Sequence, residues 1–365
     1  MSQLHIFNPS HDEALAANSP YYYPARAART LGTDLAMLPL WWANEGDSLL
    51  LPEEVEFPDD SVLPTDIHFL HPSDLKKWDD HEITSIQPWG WDPLLVHQLK
   101  KWGIPDVLLP DTDAVDKVRA LSSRASAVQV LPLLRRALSR SVGESRWCVS
   151  ADEALQAIGQ WQKAIVKAPW SSSGRGVFVA TVPLTEPVRL RIARILREQG
   201  AVEVEPYYER VFDFATEFYA TRDTILYEGL SLFATTDTGA YTGNLVAEEA
   251  LLLERLPREI QESLPPAIAA LQTNLKQLLL PHYQGPLGVD MMCVRTADHS
   301  LALHPCIEIN LRNTMGRVAL ALRKRVPEKQ TYIYQLQPVG KGTAGGMTLT
   351  PGARIMEARL FPENL

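Results

Sequence analysis

The residues with the clearest chemical meaning lie late in the chain, in the pattern Glu-x-Asn-x-Arg. Because successive side chains of a β-strand point to opposite faces, Glu308, Asn310 and Arg312 share one face of a strand. A short turn at 296–300 makes the preceding strand, which carries Asp290, its antiparallel neighbour. Opposed or diagonal side chains in such a pair lie within reach of one another. The sequence therefore predicts that Asp290, Glu308 and Asn310 form a cluster of oxygen atoms.

A cluster of two carboxylates and an amide is a candidate magnesium site. Magnesium prefers hard oxygen ligands and commonly takes one or two carboxylates together with substrate phosphates. The alternative is that these side chains belong to the solvated polar face of a strand. The metal interpretation is favoured because a solvated face has little need of Asn310 beside Glu308 with Arg312 next in line.

A second candidate site begins at Lys167, which ends an apolar run. Four residues later begins a loop of three serines, two glycines and an arginine, namely Ser171, Ser172, Ser173, Gly174, Arg175 and Gly176. Such a loop leaves backbone N–H groups free to bind a phosphate, and the lysine supplies a positive charge. It is not a P-loop, which joins a strand to a helix, because here a strand leads through the loop to another strand. The alternative is the tip of a flexible hairpin.

A third candidate site lies in Asn8-Pro-Ser-His-Asp12, which directly follows the first apolar run. Open α/β sheets bind ligands at the carboxyl ends of their strands, so His11 and Asp12 are in position to face a substrate. The alternative is a turn that Asn8 and Ser10 build, with a histidine at the surface.

These candidates need strands and helices to position them. Apolar runs alternate with helical stretches through residues 1–115, which predicts a mostly parallel sheet. The runs expected to be strands there are Leu4–Phe7, Leu35–Leu40, Ile67–Leu70 and Val107–Leu109. Residues 116–163 look helical, and mostly antiparallel strands are expected after them. Residues 331–365 contain Gly-rich turns and too little periodicity to assign.

The order of strand-lysine, Gly-rich loop, strand, aspartate and Glu-x-Asn-x-Arg resembles the ATP-grasp superfamily, which includes D-alanine–D-alanine ligase, glutathione synthetase and biotin carboxylase. The resemblance covers roughly residues 110–325. It implies a mixed α/β and α+β fold in which residues 1–115 form an amino-terminal α/β domain. Residues 116–200 would form a small subdomain with the Gly-rich loop, and 201–330 a large subdomain with the magnesium site. Residues 331–365 belong to neither.

The resemblance also assigns roles by position. Lys167 corresponds to the lysine that contacts the ATP phosphates, and Ser171–Gly176 to the mobile loop that closes over them. Glu205, with the backbone near Tyr207 and Tyr208, would meet the edge of the adenine base.

The acidic positions of the family are matched further along the chain. Asp213 lies where the family often has a ribose contact, Glu217 is a second candidate, and a solvated strand residue is the alternative for either. The residues that correspond to the family's magnesium ligands are Asp290, Glu308 and Asn310.

The basic residues depart from the family pattern. Many of these ligases have an arginine two residues before the aspartate, where this chain has Gly288. Another group must then meet the charge of the transition state, and the candidates are three arginines, Arg312, Arg317 and Arg175. Arg312 corresponds to a basic residue that touches phosphate or acyl phosphate. The family's earlier phosphate contact is matched by Arg124 or Lys117, each of which a charge on a helix surface would also explain.

By resemblance, the chain is an ATP- and magnesium-dependent ligase that joins a small-molecule carboxylate to an amine or thiol through an acyl phosphate. A kinase on the same fold, which stops at phosphoryl transfer, is one alternative. A nucleotide-binding regulatory protein without activity is another. The resemblance is also compatible with a homodimer.

Composition narrows the function classes. The formal net charge of −9 argues against nucleic-acid binding by phosphate neutralisation. No run of eighteen apolar residues occurs, so no membrane partner is expected. Polar and acidic residues follow the start too soon for a signal peptide. The three cysteines have no zinc-like spacing and fit a reducing cytoplasm.

Overall fold

The structure is a computed structural model that describes residues 2–58, 66–76, 82–171, 176–236, 241–280, 282–343 and 345–363. The described residues form four β-sheets and ten α-helices. No helix in these ranges is long and apolar enough to cross a membrane.

The amino-terminal part of the chain builds a parallel sheet in the order β3-β2-β1-β4. Its strands are β1 (Ser2–Ile6), β2 (Ser48–Leu50), β3 (His68–Leu70) and β4 (Ile83–Pro88), and its helices are α1 (His11–Ala17), α2 (Arg26–Asp34) and α3 (Pro93–Trp102). The chain runs outward from β1 to β3 and then returns to the other side of β1 for β4. The strand order therefore reverses between β1 and β4, which is where open α/β sheets bind ligands.

Two of the four strands expected in this region are confirmed, at Leu4–Phe7 and Ile67–Leu70, with ends shifted by one or two residues. The strand expected at Leu35–Leu40 is wrong, because turns and a 3-10 helix at Leu38–Trp41 take its place. Its buried side chains recur every third residue: Leu35, Leu38 and Trp41 enter one apolar cluster, and Met37, Leu40 and Ala43 enter another. That period belongs to a helix, whereas strands alternate every second residue.

The strand expected at Val107–Leu109 is also wrong. A 3-10 helix occupies Asp106–Leu108. Pro105 and Pro110 bracket this segment, and proline cannot donate a ladder hydrogen bond. The strands that complete the sheet, β2 and β4, were not predicted.

The middle of the chain forms an antiparallel sheet in the order β5-β8-β6-β7. Helices α4 (Thr112–Leu121) and α5 (Ala125–Ala137) precede it. Its elements are β5 (Arg146–Cys148), α6 (Ala151–Trp161), β6 (Lys163–Lys167), β7 (Val177–Thr181), α7 (Glu186–Gln199) and β8 (Val202–Pro206). Helices α6 and α7 share one apolar core with this sheet. Its opposite face, which carries Lys167, is left for other contacts.

A second antiparallel sheet has the order β10-β9-β13-β14. Its strands are β9 (Glu209–Ala220), β10 (Ile225–Ser231), β13 (Gly285–Arg295) and β14 (Leu301–Asn310), and the helices between them are α8 (Glu249–Glu254) and α9 (Arg258–Leu279). Helices α5 and α9 pack on one face and build the largest apolar cluster with it. Alternate residues of the strands therefore project from the other face.

Residues 331–365, which the sequence left unassigned, contribute strands to a fourth sheet in the order β11-β12-β15-β17-β16. The strands are β11 (Phe233–Thr235), β12 (Tyr241–Val246), β15 (Tyr332–Pro338), β16 (Met347–Thr348) and β17 (Met356–Pro362), and helix α10 (Met315–Arg323) packs on β12. One apolar cluster joins this sheet and α10 to the amino-terminal unit through Phe7, Trp89 and Tyr334.

Candidate functional site

The candidate magnesium residues lie on the face of the β10-β9-β13-β14 sheet that is opposite to α5 and α9. Strand register arranges the side chains of this face in rows. The middle row is Ala215, Asp290 and Glu308, one flanking row is Glu217, Gly288 and Asn310, and the other is Asp213, Met292 and His304. Adjacent rows are two residues apart along a strand, or ~7 Å. Between the Asp290 and Met292 rows the β13–β14 register shifts, an irregularity that is common beside active sites.

The structure brings Asp290, Glu308 and Asn310 together, as the strand pattern predicted. Asn310 Nδ2 donates to Asp290 Oδ2 at 3.3 Å, and Asp290 is the direct cross-strand partner of Glu308. Burial and the neighbouring Glu308 carboxylate raise the pKa of Asp290 to about 7. A bound cation would favour the ionised form of both carboxylates. Their role as metal ligands remains a prediction.

Arg124 is the basic residue that joins this cluster to the small subdomain. Its guanidinium is 5% exposed, and Nη2 donates to Glu308 Oε2 at 2.9 Å. Its Nη1 donates to the Ala168 carbonyl at 2.6 Å and to Ser171 Oγ at 2.8 Å. Burial by itself lowers the pKa of Arg124, but Glu308 and Glu203 raise it above its usual value. Arg124 is therefore not a helix-surface charge, whereas Lys117, the other candidate, is exposed on α4.

Lys167 lies at the end of β6 and is only 4% exposed. Its Nζ is 2.8 Å from Glu205 Oε2 and 3.8 Å from Glu203 Oε2. Burial by itself lowers the pKa of Lys167, but these two carboxylates raise it overall. The ammonium group is thus held charged in the interior between the two sheets. An exposed surface ion pair, which was the alternative for this lysine, is excluded.

The base of the Gly-rich loop is closed by backbone and side-chain contacts. The Ala168 N–H donates to the Gly176 carbonyl at 2.9 Å. A Cβ added at Gly176 would lie 2.5 Å from Ser171 Oγ, so a side chain at this position would displace Ser171. Four residues of the loop that the sequence assigned to phosphate binding or catalysis lie outside the described residues: Ser172, Ser173, Gly174 and Arg175.

The segment predicted to meet the adenine base, here called the hinge, includes Glu205 at the end of β8 and the two tyrosines that follow the strand. Glu205 is buried beside Lys167, and Tyr207 is 45% exposed with the Lys163 ammonium 3.5 Å from its ring centroid. Tyr208 packs edge-on against His304 at 5.6 Å and is hydrogen-bonded to the Glu144 backbone. Burial raises the pKa of Tyr208 to about 12.

The two ribose candidates on β9 differ in their surroundings. Arg210 Nη1 donates to Asp213 Oδ2 at 2.7 Å on a partly exposed edge. Glu217 is 2% exposed, and burial raises its pKa to about 8 although a hydrogen bond from Thr314 opposes the shift. A Cβ at Gly288 would lie 2.9 Å from Glu217 Oε2. Glu217 therefore fills the space next to the position where many ATP-grasp ligases have an arginine.

Arg312 and Arg317 occupy different environments. Arg312 Nε donates to both Asp12 carboxylate oxygens at 3.1 Å, and its Nη2 donates to Asn310 Oδ1 at 3.0 Å. Arg312 therefore joins the amino-terminal unit to the cluster of Asp290, Glu308 and Asn310. Arg317 instead pairs with Glu228 at 3.0 Å.

The loops after β1 and β4 are tied together at the edge where the strand order reverses. Asn8 Nδ2 donates to the Gly90 carbonyl at 2.8 Å and to Asp92 Oδ2 at 2.9 Å. His11 is 1% exposed, with Nδ1 3.6 Å from Asp92 Oδ2, and a Cβ at Gly90 would overlap its ring. The alternative of a surface histidine is therefore wrong, while Asp12 keeps an exposed face.

The sequence missed two contributors to the site, Glu203 and His304, and the partner of a third, Asp12. Glu203 pairs with Lys167, Asp12 binds Arg312 across 300 residues, and His304 lies fully buried in the row beside Asp290. The alternation along β8 places Glu203 on the face of Glu205, so this signal was present in the sequence. No local signal marks the pairing of Asp12 with Arg312, because it depends on how two sheets are docked.

Comparisons with known proteins bear on the fold. A scan against protein-family models finds no match, and a search of curated proteins finds none either. Among solved structures, the chain is similar to biotin carboxylase from Campylobacter jejuni in a β-γ-ATP complex. The TM-score is 0.55 at 13% identity, over 99% of this chain and 87% of that one.

Two further similar structures come from one enzyme class. N5-carboxyaminoimidazole ribonucleotide synthetase from Thermus thermophilus matches with a TM-score of 0.53 and 11% identity, over 100% of this chain and 94% of that one. N5-carboxyaminoimidazole synthase from Aspergillus clavatus, in complex with ADP and 5-aminoimidazole ribonucleotide, matches at 0.52 and 13%, over 99% and 93%. The chain therefore has the ATP-grasp fold that the order of its motifs predicted.

Proposed function

We propose that the protein is an ATP- and magnesium-dependent ligase that activates a small-molecule carboxylate as an acyl phosphate and transfers it to an amine or a thiol. The observation that carries the proposal is the meeting of two sets of residues between the sheets. Asp290 and Glu308 approach from one sheet, Lys167 from the other, and Arg124 bridges them. Anionic and cationic groups facing one space suit a nucleotide polyphosphate with its metal ion.

The residues present fit a magnesium ion. The raised pKa of Asp290 shows that burial and Glu308 disfavour two bare carboxylates here. Across the described ranges no three His, Cys, Asp or Glu side chains are grouped to hold a metal ion. Two carboxylates with an amide nevertheless suit magnesium, because this ion keeps water and phosphate in its other coordination positions. When bound, such an ion neutralises charge on the transferring phosphoryl group.

The chain's own side chains have separable tasks in the proposed reaction. Lys167 and Arg124 supply fixed positive charge to the phosphates in a site screened from water, where such charge is most effective. Arg312 is oriented by Asp12 and Asn310, and its guanidinium keeps 17% exposure toward the site. It is placed to bind the carboxylate or the acyl phosphate. No side chain is required as a covalent nucleophile.

The structures similar to this chain support an enzyme of this type. Biotin carboxylase and N5-carboxyaminoimidazole ribonucleotide synthetase are the kinds of protein that share the fold, and the solved complexes hold ATP-type nucleotides. A kinase and a nucleotide-binding regulator remain the alternatives. The Asp12–Arg312 pair joins the amino-terminal unit to the proposed metal site, which favours a substrate bound between them.

The test is an ADP-release screen of amino acids, dipeptides and small dicarboxylates, each with and without an amine acceptor. A ligase releases ADP at a rate that depends on both substrates. Release that ignores the acceptor would indicate the kinase. ATP binding without ADP release under every condition would indicate the regulator.

Matched variants make the screen specific to the site. Glu308→Gln changes one oxygen of the proposed metal cluster, and Glu254→Gln makes the same change at an exposed position of α8. Activity should be lost in the first variant and kept in the second. Equal activity in both would contradict the metal assignment.

A further inference from the structure

A solvent-open cavity lies on the other side of the segment that borders the proposed nucleotide site. It has a volume of about 410 Å³ and lies between α5, the end of α6 and the segment Gly143–Arg146. We call it the arginine cavity, and its lining side chains include Leu131, Pro132, Arg135, Arg136, Arg146 and Trp161. The volume falls in the range of small-molecule sites, which is ~300–1,000 Å³.

The chemistry of this cavity is basic on one side and apolar on another. Three arginines line it, and the carboxylate opposing them is Glu144, which lies 4.0 Å from Arg135. Within the described ranges Arg136 makes no ion pair. The Arg146 guanidinium lies over the Trp161 ring, 5.3 Å from its centroid, and donates to Gln160 Oε1 at 2.5 Å. The whole chain has a net charge of −9, so its general surface composition does not explain an excess of positive charge at this cavity.

The wall of the arginine cavity contacts the nucleotide site at three consecutive residues. A Cβ at Gly143 would lie 2.8 Å from His304 Nε2 and 2.9 Å from the Leu131 side chain, so this glycine is the thin partition between them. The Glu144 backbone is hydrogen-bonded to Tyr208 of the hinge.

The third contact reaches the phosphate-binding lysine. Ser145 Oγ donates to Glu203 Oε1 at 2.7 Å, and Glu203 pairs with Lys167. Any occupant that orders the Gly143–Arg146 segment therefore also fixes the positions of residues on its nucleotide side. Two sites that bias the same segment are thermodynamically coupled.

We propose that the arginine cavity is a binding site for a small organic anion with a planar apolar body, and that its occupancy tightens nucleotide binding. Arg136 and Arg146 would bind the acidic group, while Trp161, Pro132 and Leu131 cover the planar body. The occupant acts through Gly143–Arg146 on Tyr208 and Glu203. This site is independent of the carboxylate and acceptor substrates.

The first test uses anilinonaphthalenesulfonate, a fluorescent planar anion, with the full chain in the absence of nucleotide. One probe should bind per chain, and Arg136→Glu should weaken it by about tenfold through charge repulsion. Arg189→Glu, the same reversal on the exposed face of α7, should leave binding unchanged. Equal probe binding in wild type and Arg136→Glu would overturn the proposal.

A second probe separates the contribution of charge to binding from that of hydrophobic contact. Phenylnaphthylamine has the same rings without the sulfonate and should bind more weakly than the anion. Trp161→Leu should weaken both probes, with a melting curve to show that the variant is folded. If the uncharged probe binds as well as the anion, the arginines play no part and the proposed ligand class is wrong.

The coupling is tested with the Kd of a non-hydrolysable ATP analogue, with and without saturating anilinonaphthalenesulfonate. We expect nucleotide affinity to rise by about fivefold, with the reciprocal effect on the probe. Displacement of the probe by the nucleotide would place it in the nucleotide site and overturn the proposal. If the nucleotide does not bind at all, the proposed ATP-dependent function fails, while the Arg136 dependence of the probe still tests the cavity.

Discussion

Protonation of His304 should make the stability of the protein depend on pH. This imidazole is fully buried on β14, and within the described residues neither ring nitrogen has a hydrogen-bond partner. Burial, followed by the nearby charges of Lys167 and Arg135, lowers its pKa from 6.5 to about 3. The native state therefore keeps the ring neutral over a pH range in which the unfolded chain binds a proton.

The sign and size of the effect follow from this difference. Because the unfolded state binds more protons below pH 6.5, stability is intact above that value and falls as the pH decreases toward 3. At pH 5, protonation of the unfolded chain alone lowers the free energy of unfolding by about 2 kcal/mol. The full effect, reached near pH 3, is on the order of 5 kcal/mol.

The assay is chemical denaturation of wild type and His304→Leu at several values from pH 8 to pH 5. Leucine fills a similar volume without a titrating group, so the wild type should lose about 2 kcal/mol more than the variant over this range. The raised pKa values of Asp290 and Glu217 favour the native state at low pH, the opposite sign. The contributions of these two carboxylates are the same in wild type and in His304→Leu, so they cancel when the stabilities of the two proteins are subtracted.

A control removes the exposed imidazole of His68 by the change His68→Leu, and its stability should follow the wild-type curve. Parallel curves for wild type and His304→Leu would refute the reasoning. They would mean that His304 gains a hydrogen-bond partner or water in solution and is not desolvated.

Three further predictions concern the polar network. Glu308→Gln should lower magnesium affinity by about 10–100-fold with little change in melting temperature, measured by ADP release and calorimetry. Lys167→Ala should weaken nucleotide binding. It should also destabilise the protein by about 3–5 kcal/mol, because it leaves buried carboxylates unpaired. Lys167→Arg keeps the positive charge and should lose mainly nucleotide affinity. Asp12→Asn should lower kcat while nucleotide Kd is kept, and its effect should be less than additive with that of Arg312→Lys. Unchanged nucleotide affinity in Lys167→Arg, or strict additivity in the last pair, would contradict these assignments.

Local pattern was enough to predict that Asp290, Glu308 and Asn310 lie together. The alternation of Glu308, Asn310 and Arg312, with a short turn before them, requires little more than strand geometry to bring Asp290 alongside. The same holds for Lys167 at a strand end before a small-residue loop. In each case the interacting residues belong to one hairpin or one loop, so sequence separation is small and the register follows from the pattern.

Where strands are short, the hydrophobic pattern of the sequence predicted secondary structure less well. The run Leu35–Leu40 is apolar throughout because its side chains pack into two different apolar clusters. Continuous hydrophobicity cannot distinguish a buried strand from a buried turn of helix. In residues 331–365, β15 pairs with β12, which is distant in sequence, and β17 pairs with β15 in turn. Their conformation depends on that pairing rather than on local propensity.

Tertiary structure alone decided which charged residues of the site pair with one another across the sheets. Lys167 is buried between Glu203 and Glu205, Arg124 bridges two sheets, and Asp12 binds Arg312. Each of these contacts depends on how separate sheets pack. The sequence specifies which side chains share a strand face, because the two-residue period of a strand is a local property. It does not specify which faces meet, because the docking of sheets is set by the summed burial of apolar side chains from distant segments.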